Sequence, residues 1–268
     1  MLIAPLDREK LRAEFRSARP FPFLVIDDFL DPGFAAEVSR SFPSYDEAEK
    51  IGRSFEAVNE SRKTQVTDYQ RFPGPVRKLA DALAAPEFLE SLSFVTGIRN
   101  LLWDADFVGG GMHQTAARGR LDVHVDFNRL PSTGAYRRLN LLLYLNPTWE
   151  DAWGGGLELW DHEVKTRSHY ITPRLNRCVL FETSDHSYHG VTALRCPPDV
   201  SRKSFAIYLY TMEAPAGWEG RSHSTLFRAR PDEHLKKLVL MPAADLRERL
   251  RRGVEGGKGL IKKVIGRQ

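Results

Sequence analysis

Between Leu101 and Thr211 the chain is cut into short β-prone runs by Gly, Pro, Asn and Asp, and this punctuation constrains the fold more than any other feature. The runs are Asp106–Val108, Leu121–Phe127, Arg138–Leu145, Gly156–Trp160, His169–Ile171, Arg177–Glu182, Ser187–Leu194 and Lys203–Thr211. Strands this short at this spacing predict a β-sandwich or jelly roll. The first hundred residues read as a mixed α/β lead-in. Arg8–Ala18 is amphipathic, Phe23–Ile26 is a compact apolar run, and Asp31-Pro32 caps a helix over Gly33–Phe42. Val76–Phe94 reads as helix broken at Ala85-Pro86, and the polar stretch Glu47–Thr67 as a mobile loop. The predicted class is mixed α/β, mainly β. A jelly-roll core over 101–212 carries N-terminal helices from 1–100 and a basic helical extension over 213–268, two helices joined by Gly256-Gly257.

Composition narrows the function classes. Hydrophobic residues at 42% and charged residues at 28% are enough for a core and argue against global disorder. Two cysteines, Cys178 and Cys196, exclude a disulfide framework and a cysteine-based zinc site. The formal charge of +4 is concentrated: residues 227–268 hold 12 basic and 5 acidic residues, so the rest of the chain is slightly acidic. A basic tail alone is weak support for nucleic acid, and nucleic acid is not an expected partner. No apolar run approaches the ~20 residues of a membrane span, and no signal-peptide pattern is visible, so the expectation is a cytoplasmic protein.

Strand parity is the informative step towards chemistry. In Leu121–Phe127 the residues alternate, so His124 and Asp126 project from one face. Such a pair is common by chance and usually means an exposed sheet face. His189, in Ser187–Val191 and 63 residues after Asp126, is placed to add a third donor from a distant strand. Two histidines and one carboxylate leave coordination positions open, which favours non-haem Fe(II) over a closed structural zinc site. His186 lies three residues before His189 and is an alternative donor. Further on, Arg202, Ser204 and Ala206 share a face, which points a guanidinium and a hydroxyl into the same cavity. A planar fork suits a carboxylate. Asn140, Leu142 and Tyr144 share a parity on Arg138–Leu145; if that face is inward, Tyr144 brings a phenol to the same carboxylate.

These motifs together resemble the prolyl-4-hydroxylase-like branch of the Fe(II)/2-oxoglutarate-dependent dioxygenases. The resemblance is carried by LDVHVDFN (Leu121–Asn128), RRLNLLLYLNPTW (Arg137–Trp149), WGGGLELWD (Trp153–Asp161), SYHGV (Ser187–Val191) and SRKSFAIYLYT (Ser201–Thr211). It covers about Gly109–Thr211 and, more loosely, Pro22–Leu30. It implies a double-stranded β-helix with Fe(II) held by His124, Asp126 and His189. It also implies that Arg202 binds the C5 carboxylate of 2-oxoglutarate, that Tyr144 contacts the same carboxylate, and that Leu157 lines the cosubstrate pocket. Ser204 and Asn140 join that set by parity. Lys203 is adjacent, and a register slip would swap it with Arg202. The implied reaction consumes 2-oxoglutarate and O2, with ascorbate as a helper reductant, and oxidises a C–H bond while releasing succinate and CO2. Halogenating relatives lack the carboxylate, so Asp126 points to hydroxylation or a related oxidation.

Substrate contacts are sought near the metal. His113 and Gln114 follow three glycines, Asn128 and Arg129 follow the metal strand, and Asn59 and Arg62 sit in the polar loop expected to act as a lid. The expected substrate is a small molecule, a sugar-containing metabolite or an amino-acid side chain. Alternatives from other classes are a non-catalytic sensor of 2-oxoglutarate, iron or oxygen, and a cupin-like metal enzyme without 2-oxoglutarate. Oxidative demethylation of a nucleobase would require a basic aromatic face near the metal. Lys258, Lys262 and Lys263 among Leu260, Ile261, Val264 and Ile265 fit either a helix packed on the core or a surface for an anionic partner or membrane. Oligomeric state is not encoded in any motif.

Overall fold

The computed structural model describes residues 2–218 and 220–241. The helices are α1 (Arg8–Ser17), α2 (Pro32–Ser41), α3 (Tyr45–Ile51), α4 (Gly74–Ala84) and α5 (Pro86–Thr96). The strands are β1 (Phe23–Ile26), β2 (Arg53–Phe55), β3 (Glu60–Val66), β4 (Leu102–Trp103), β5 (Gly111–Val125), β6 (Tyr136–Tyr144), β7 (Leu157–Trp160), β8 (Arg167–Ile171), β9 (Cys178–Glu182), β10 (His189–Val191), β11 (Ser201–Thr211) and β12 (Leu226–Arg228). Local chemistry explains the helix ends. Asp31 accepts the Phe34 N–H at 3.0 Å ahead of Pro32 at N1. Ser44 and Glu47 form a reciprocal capping box for α3. Pro86 separates α4 from α5, and Gly97 ends α5 in the left-handed region at φ 77°.

The strands run in the order β1-β9-β6-β11-β5-β10-β7-β8, all antiparallel. The sheet curls because β5 bends midway. Its residues 111–116 pair with β11, whereas His124 and Leu121 pair with β10 and 123–125 with β12. Arg118 has φ 67° at the bend, and a Cβ on the next residue, Gly119, would lie 2.8 Å from the Ser61 carbonyl oxygen. Only glycine fits that approach. One strand therefore serves both halves of a jelly roll, the double-stranded β-helix expected from the sequence.

The two faces of the curl carry different residues. Leu139, Leu141 and Leu143 of β6 and Phe205, Ile207 and Leu209 of β11 pack outward against Phe15, Val38, Leu79, Leu83 and Leu92 of the helices. Tyr144, Leu157, Leu159, Val179 and Phe181 form a separate inner cluster. Burying apolar side chains on both faces at roughly 25 cal/mol per Å² fixes the strand register, because a slip of one residue would exchange them.

Three expectations are overturned. Glu47–Thr67 is no loose loop: α3 is followed by the β2–β3 hairpin, and β3 pairs with β5 from Glu60↔Leu121 to Val66↔Met112. The lid reading falls with it. Asp106–Val108 is a turn, with strand at Leu102–Trp103 instead. The extension after Thr211 opens not with helix but with β12, which adds a strand beside the end of β5. Of the two helices expected over Pro231–Gln268, only the start is described, and it is helical from His234 to Met241; the rest, with Lys258, Lys262 and Lys263, lies outside the described residues. Among the described residues no helix is long and apolar enough to cross a membrane.

Candidate active site

His124 sits at the end of β5, Asp126 just beyond it, and His189 at the start of β10, directly opposite His124 in the register. One donor atom from each lies within 4.8 Å of the others. His124 Nε2 is 3.6 Å from Asp126 Oδ1, and His189 Nε2 is 3.6 Å from Oδ2. Both imidazoles are held the same way: Nδ1 of His124 lies 2.8 Å from the Asp122 carbonyl and Nδ1 of His189 2.9 Å from that of Ser187. A carbonyl only accepts, so each Nδ1 carries the proton and each Nε2 lone pair faces the centre. Burial and the neighbouring His124 push the His189 pKa down to about 3, so its ring is neutral at physiological pH. Two imidazoles with their Nε2 atoms facing one carboxylate fit a divalent transition metal.

Asp126 is tied to a residue that strand parity does not predict. Its Oδ2 accepts from Asn140 Nδ2 at 2.7 Å and lies 3.0 Å from Arg137 Nη2, while Arg137 Nε donates to Asn140 Oδ1 at 2.9 Å. Burial alone would raise the Asp126 pKa, but the Arg137 guanidinium and the flanking histidines hold it well below the usual carboxylate range. Arg137 lies over the Tyr208 ring at 3.4 Å and faces Phe127 at 4.6 Å. Simple alternation along β6 would turn it outward with Leu139. An extra residue near Arg138 shifts the register, so that Leu209 faces Leu139 and Tyr210 faces Arg137. The bulge turns Arg137 inward. The same pair of bonds shows that Asn140, grouped with cosubstrate contacts on parity, is committed to Asp126 and Arg137.

A second polar cluster lies deeper in the curl. Arg202 and Ser204 of β11 and Tyr144 of β6 are buried, and Ser204 is the register partner of both Tyr144 and His113. The Arg202 guanidinium lies 4.8 Å from the Tyr144 ring, and its Nε donates to the Gly155 carbonyl at 2.7 Å. Lys203 points to the opposite face, half-buried, with its backbone N–H on Asn146 Oδ1. Tyr144 Oη is buried with no hydrogen-bond partner among the described residues. An orphaned phenol beside a fixed guanidinium fits a carboxylate ligand. Leu157, Leu159 and Phe181 pack with Tyr144, and the Phe181 ring is 4.7 Å from that of His189. This apolar wall therefore reaches from the Tyr144 phenol to the metal donors.

The residues expected to meet substrate divide. Asn128 clamps the chain after Gly220, donating to the Arg221 carbonyl at 3.0 Å and accepting from the His223 N–H at 3.0 Å. Arg129 lines a cavity of about 660 Å³ with Phe127, Leu130, Ser222, His223 and Ser224. Phe127, the residue after Asp126, is part of its wall, while His124, Asp126 and His189 are not. His113 is turned inward but is bound up near Gln65 and the carbonyls of Gly109 and Gly110, and burial with nearby Lys63 pushes its pKa down to about 3. Gln114 is withdrawn from any substrate role: its amide donates to the Pro43 carbonyl and accepts from Ser201. Arg62 lines a different groove with Tyr45 and Glu49, and the Asn59 carbonyl accepts the Asp122 N–H. His186 is exposed and stands outside the triad. Sequence reasoning missed Phe227 as well as Arg137; its ring centroid lies 5.4 Å from that of His124, with the planes tilted by 40°. A three-residue strand carries no periodicity that would announce it.

Residues 110–210 match the family model for the 2OG-Fe(II) oxygenase superfamily. No curated protein matches the chain. Among solved structures, a Trichoplax adhaerens prolyl hydroxylase in complex with a peptide of the hypoxia inducible factor oxygen degradation domain is 17% identical, with 76% of this chain and 90% of that one covered and a TM-score of 0.55. A Pseudomonas putida prolyl-4-hydroxylase is 14% identical over 75% of this chain and 98% of its own, at 0.51. The carbocyclase SnoK from nogalamycin biosynthesis is 13% identical over 88% and 94%, at 0.52. At these identities the structural likeness is one of fold. The segment matched by the family model contains His124, Asp126 and His189 together with Tyr144 and Arg202. That segment is similar to the 2OG-Fe(II) oxygenases, whose class of chemistry is oxidoreduction.

Proposed function

We propose that this oxygenase core oxidises a C–H bond of a small-molecule, sugar-containing or amino-acyl substrate, with Fe(II) on His124, Asp126 and His189 and with 2-oxoglutarate on Arg202 and Tyr144. Iron with 2-oxoglutarate and O2 supplies oxidative decarboxylation coupled to substrate oxidation, yielding succinate and CO2. The protein's own contribution is positional. The two Nδ1–H bonds aim the imidazoles, and Asn140 and Arg137 both engage Asp126 Oδ2, leaving Oδ1 beside His124. Arg202 and Tyr144 grip the far carboxylate, with Ser204 and Leu157 completing that wall, and Leu159 and Phe181 keep water out. Substrate enters through the cavity bounded by Arg129 and Ser224, whose volume suits a small molecule or one side chain.

The observation that carries this reading is the convergence of three donor atoms within 4.8 Å inside the family-matched segment. A cupin-like enzyme would leave the orphaned Tyr144 hydroxyl and the Arg202 fork without a ligand. The test is an anaerobic titration of metal-free protein with Fe(II) and 2-oxoglutarate, following the visible charge-transfer band of the chelate. A band requiring both additives, and lost in His124→Ala and Arg202→Ala, is expected. Folded protein that binds iron but gives no band would overturn the assignment.

A further inference from the structure

The chain crosses behind the metal donors once more after the jelly roll is complete. Residues 226–236 lie along the strands that carry His124 and His189, and they are fastened there by buried charge. Asp122 and Glu158 are both essentially inaccessible, at 0% and 1%. Lys236 Nζ donates to Asp122 Oδ1 at 2.6 Å and to Glu233 at 2.8 Å. Arg230 donates from Nε and Nη2 to Glu158 Oε2 at 2.8 and 2.6 Å, and Arg167 takes the other oxygen at 3.1 Å. With Arg120 Nε 3.7 Å from Asp122 Oδ1, three carboxylates thus meet four cations, so neither buried carboxylate is left unpaired.

The knot is placed where the ladder is weakest. Between His189 and Val191 the pairing of β10 with β5 shifts register. At that shift Arg230 Nη2 reaches the carbonyls of Leu121 at 3.4 Å and Val191 at 3.3 Å, one on each metal-bearing strand. Asp122, held through its side chain by Lys236, offers its own carbonyl to His124 Nδ1. Glu158, held by Arg230, is the register partner of Gly190, next to His189. Between these anchors β12 sets Phe227 opposite His124, so that the imidazole lies between the Phe227 ring at 5.4 Å and the His189 ring at 4.2 Å.

We propose that this C-terminal strap positions the metal donors: Phe227 holds the plane of His124, while Arg230 and Lys236 lock β5 to β10 so that both Nε2 atoms converge. The inference rests on the reading of His124, Asp126 and His189 as metal ligands. These strap residues touch no donor atom themselves. They act through the tilted ring contact and through the backbone that aims each imidazole, and loss of such supporting contacts typically lowers metal affinity about 10- to 100-fold.

The experiment uses the full chain, metal-free, titrated with Co(II) while the visible d–d bands are recorded. Phe227→Ala, Lys236→Met and Arg230→Met are compared with Lys236→Arg and with Leu226→Ala, whose side chain is exposed on the same strand. Expected are weaker Co(II) binding by roughly tenfold and altered d–d bands in the first three, recovery in Lys236→Arg, and no change in Leu226→Ala. Phe227 is only half-buried, so its variant keeps the test usable if loss of a buried charge prevents folding. Unchanged affinity and spectrum in folded Phe227→Ala would overturn the strap's role. Failure of the unsubstituted protein to bind Co(II) would overturn the metal site itself, a separate result.

Discussion

Arg137 Nη2 stands 3.0 Å from Asp126 Oδ2, so the carboxylate expected to bind a cation already has one beside it, buried and stacked on Tyr208. The pairing makes the metal-free centre stable and sets up a competition for the same negative charge.

Arg137→Met should therefore destabilise metal-free protein, by about 3–5 kcal/mol as for other broken buried pairs. A divalent ion restores a positive partner to Asp126, so Co(II) should stabilise the variant more than the unsubstituted protein. Urea unfolding of both, with and without the ion, measures the difference. Equal stabilisation would show that Arg137 and the metal do not share Asp126.

Stability of the metal-free protein should fall as pH drops below the ordinary histidine value. His113 and His189 are buried neutral with pKa values lowered to about 3. In the unfolded chain they take up protons near pH 6.5, so between pH 6.5 and about 3 the unfolded state binds more protons. Two such groups give a slope of up to about 2.7 kcal/mol per pH unit. Denaturant midpoints at pH 7.5, 6 and 5 should decline in that order, and replacing His113 by Gln should flatten the decline.

Removing the Tyr144 hydroxyl should separate stability from cosubstrate binding. Its oxygen is buried with no hydrogen-bond partner among the described residues, and such a group costs about 1–3 kcal/mol. Tyr144→Phe should raise the melting temperature of ligand-free protein and weaken 2-oxoglutarate binding about tenfold, the value of a hydrogen bond to a charged group. Thermal scans paired with calorimetric titration read both.

Substitutions at the two adjacent cations should differ sharply. Arg202→Ala removes the buried fork and should reduce 2-oxoglutarate affinity by at least about a hundredfold. Lys203→Ala, on the opposite face, should alter it less than about threefold. Titration of the chelate band in each variant decides between them.

The parts legible from the residues are those governed by short-range periodicity. Alternation over 121–127 placed His124 and Asp126 on one face, and the parity of Arg202 with Ser204 turned both inward while leaving Lys203 out. Asp31-Pro32 and Ala85-Pro86 announced helix boundaries through capping and through the missing proline donor. What stayed hidden depends on partners distant in the chain. Arg137 faces inward only because a bulge interrupts β6, and a bulge has no signature without its partner strand. The polar text of Glu60–Val66 reads as loop, yet β5 supplies its ladder and buries Thr64 and Gln65. Gln114 looked available because its two partners, Pro43 and Ser201, lie 71 and 87 positions away.

The bend of β5 at Arg118–Gly119 gives the site a built-in ruler. Thr115, before the bend, is the register partner of Arg202, and His124, after it, carries a metal donor. If the proposed function holds, the span between the carboxylate site at Arg202 and the metal is written into one continuous stretch of backbone, not into two loops that can adjust independently. A diacid one carbon shorter or longer than 2-oxoglutarate would reach one end and miss the other. Inserting or deleting a residue between Ala116 and Leu121 should recalibrate which chain length fits.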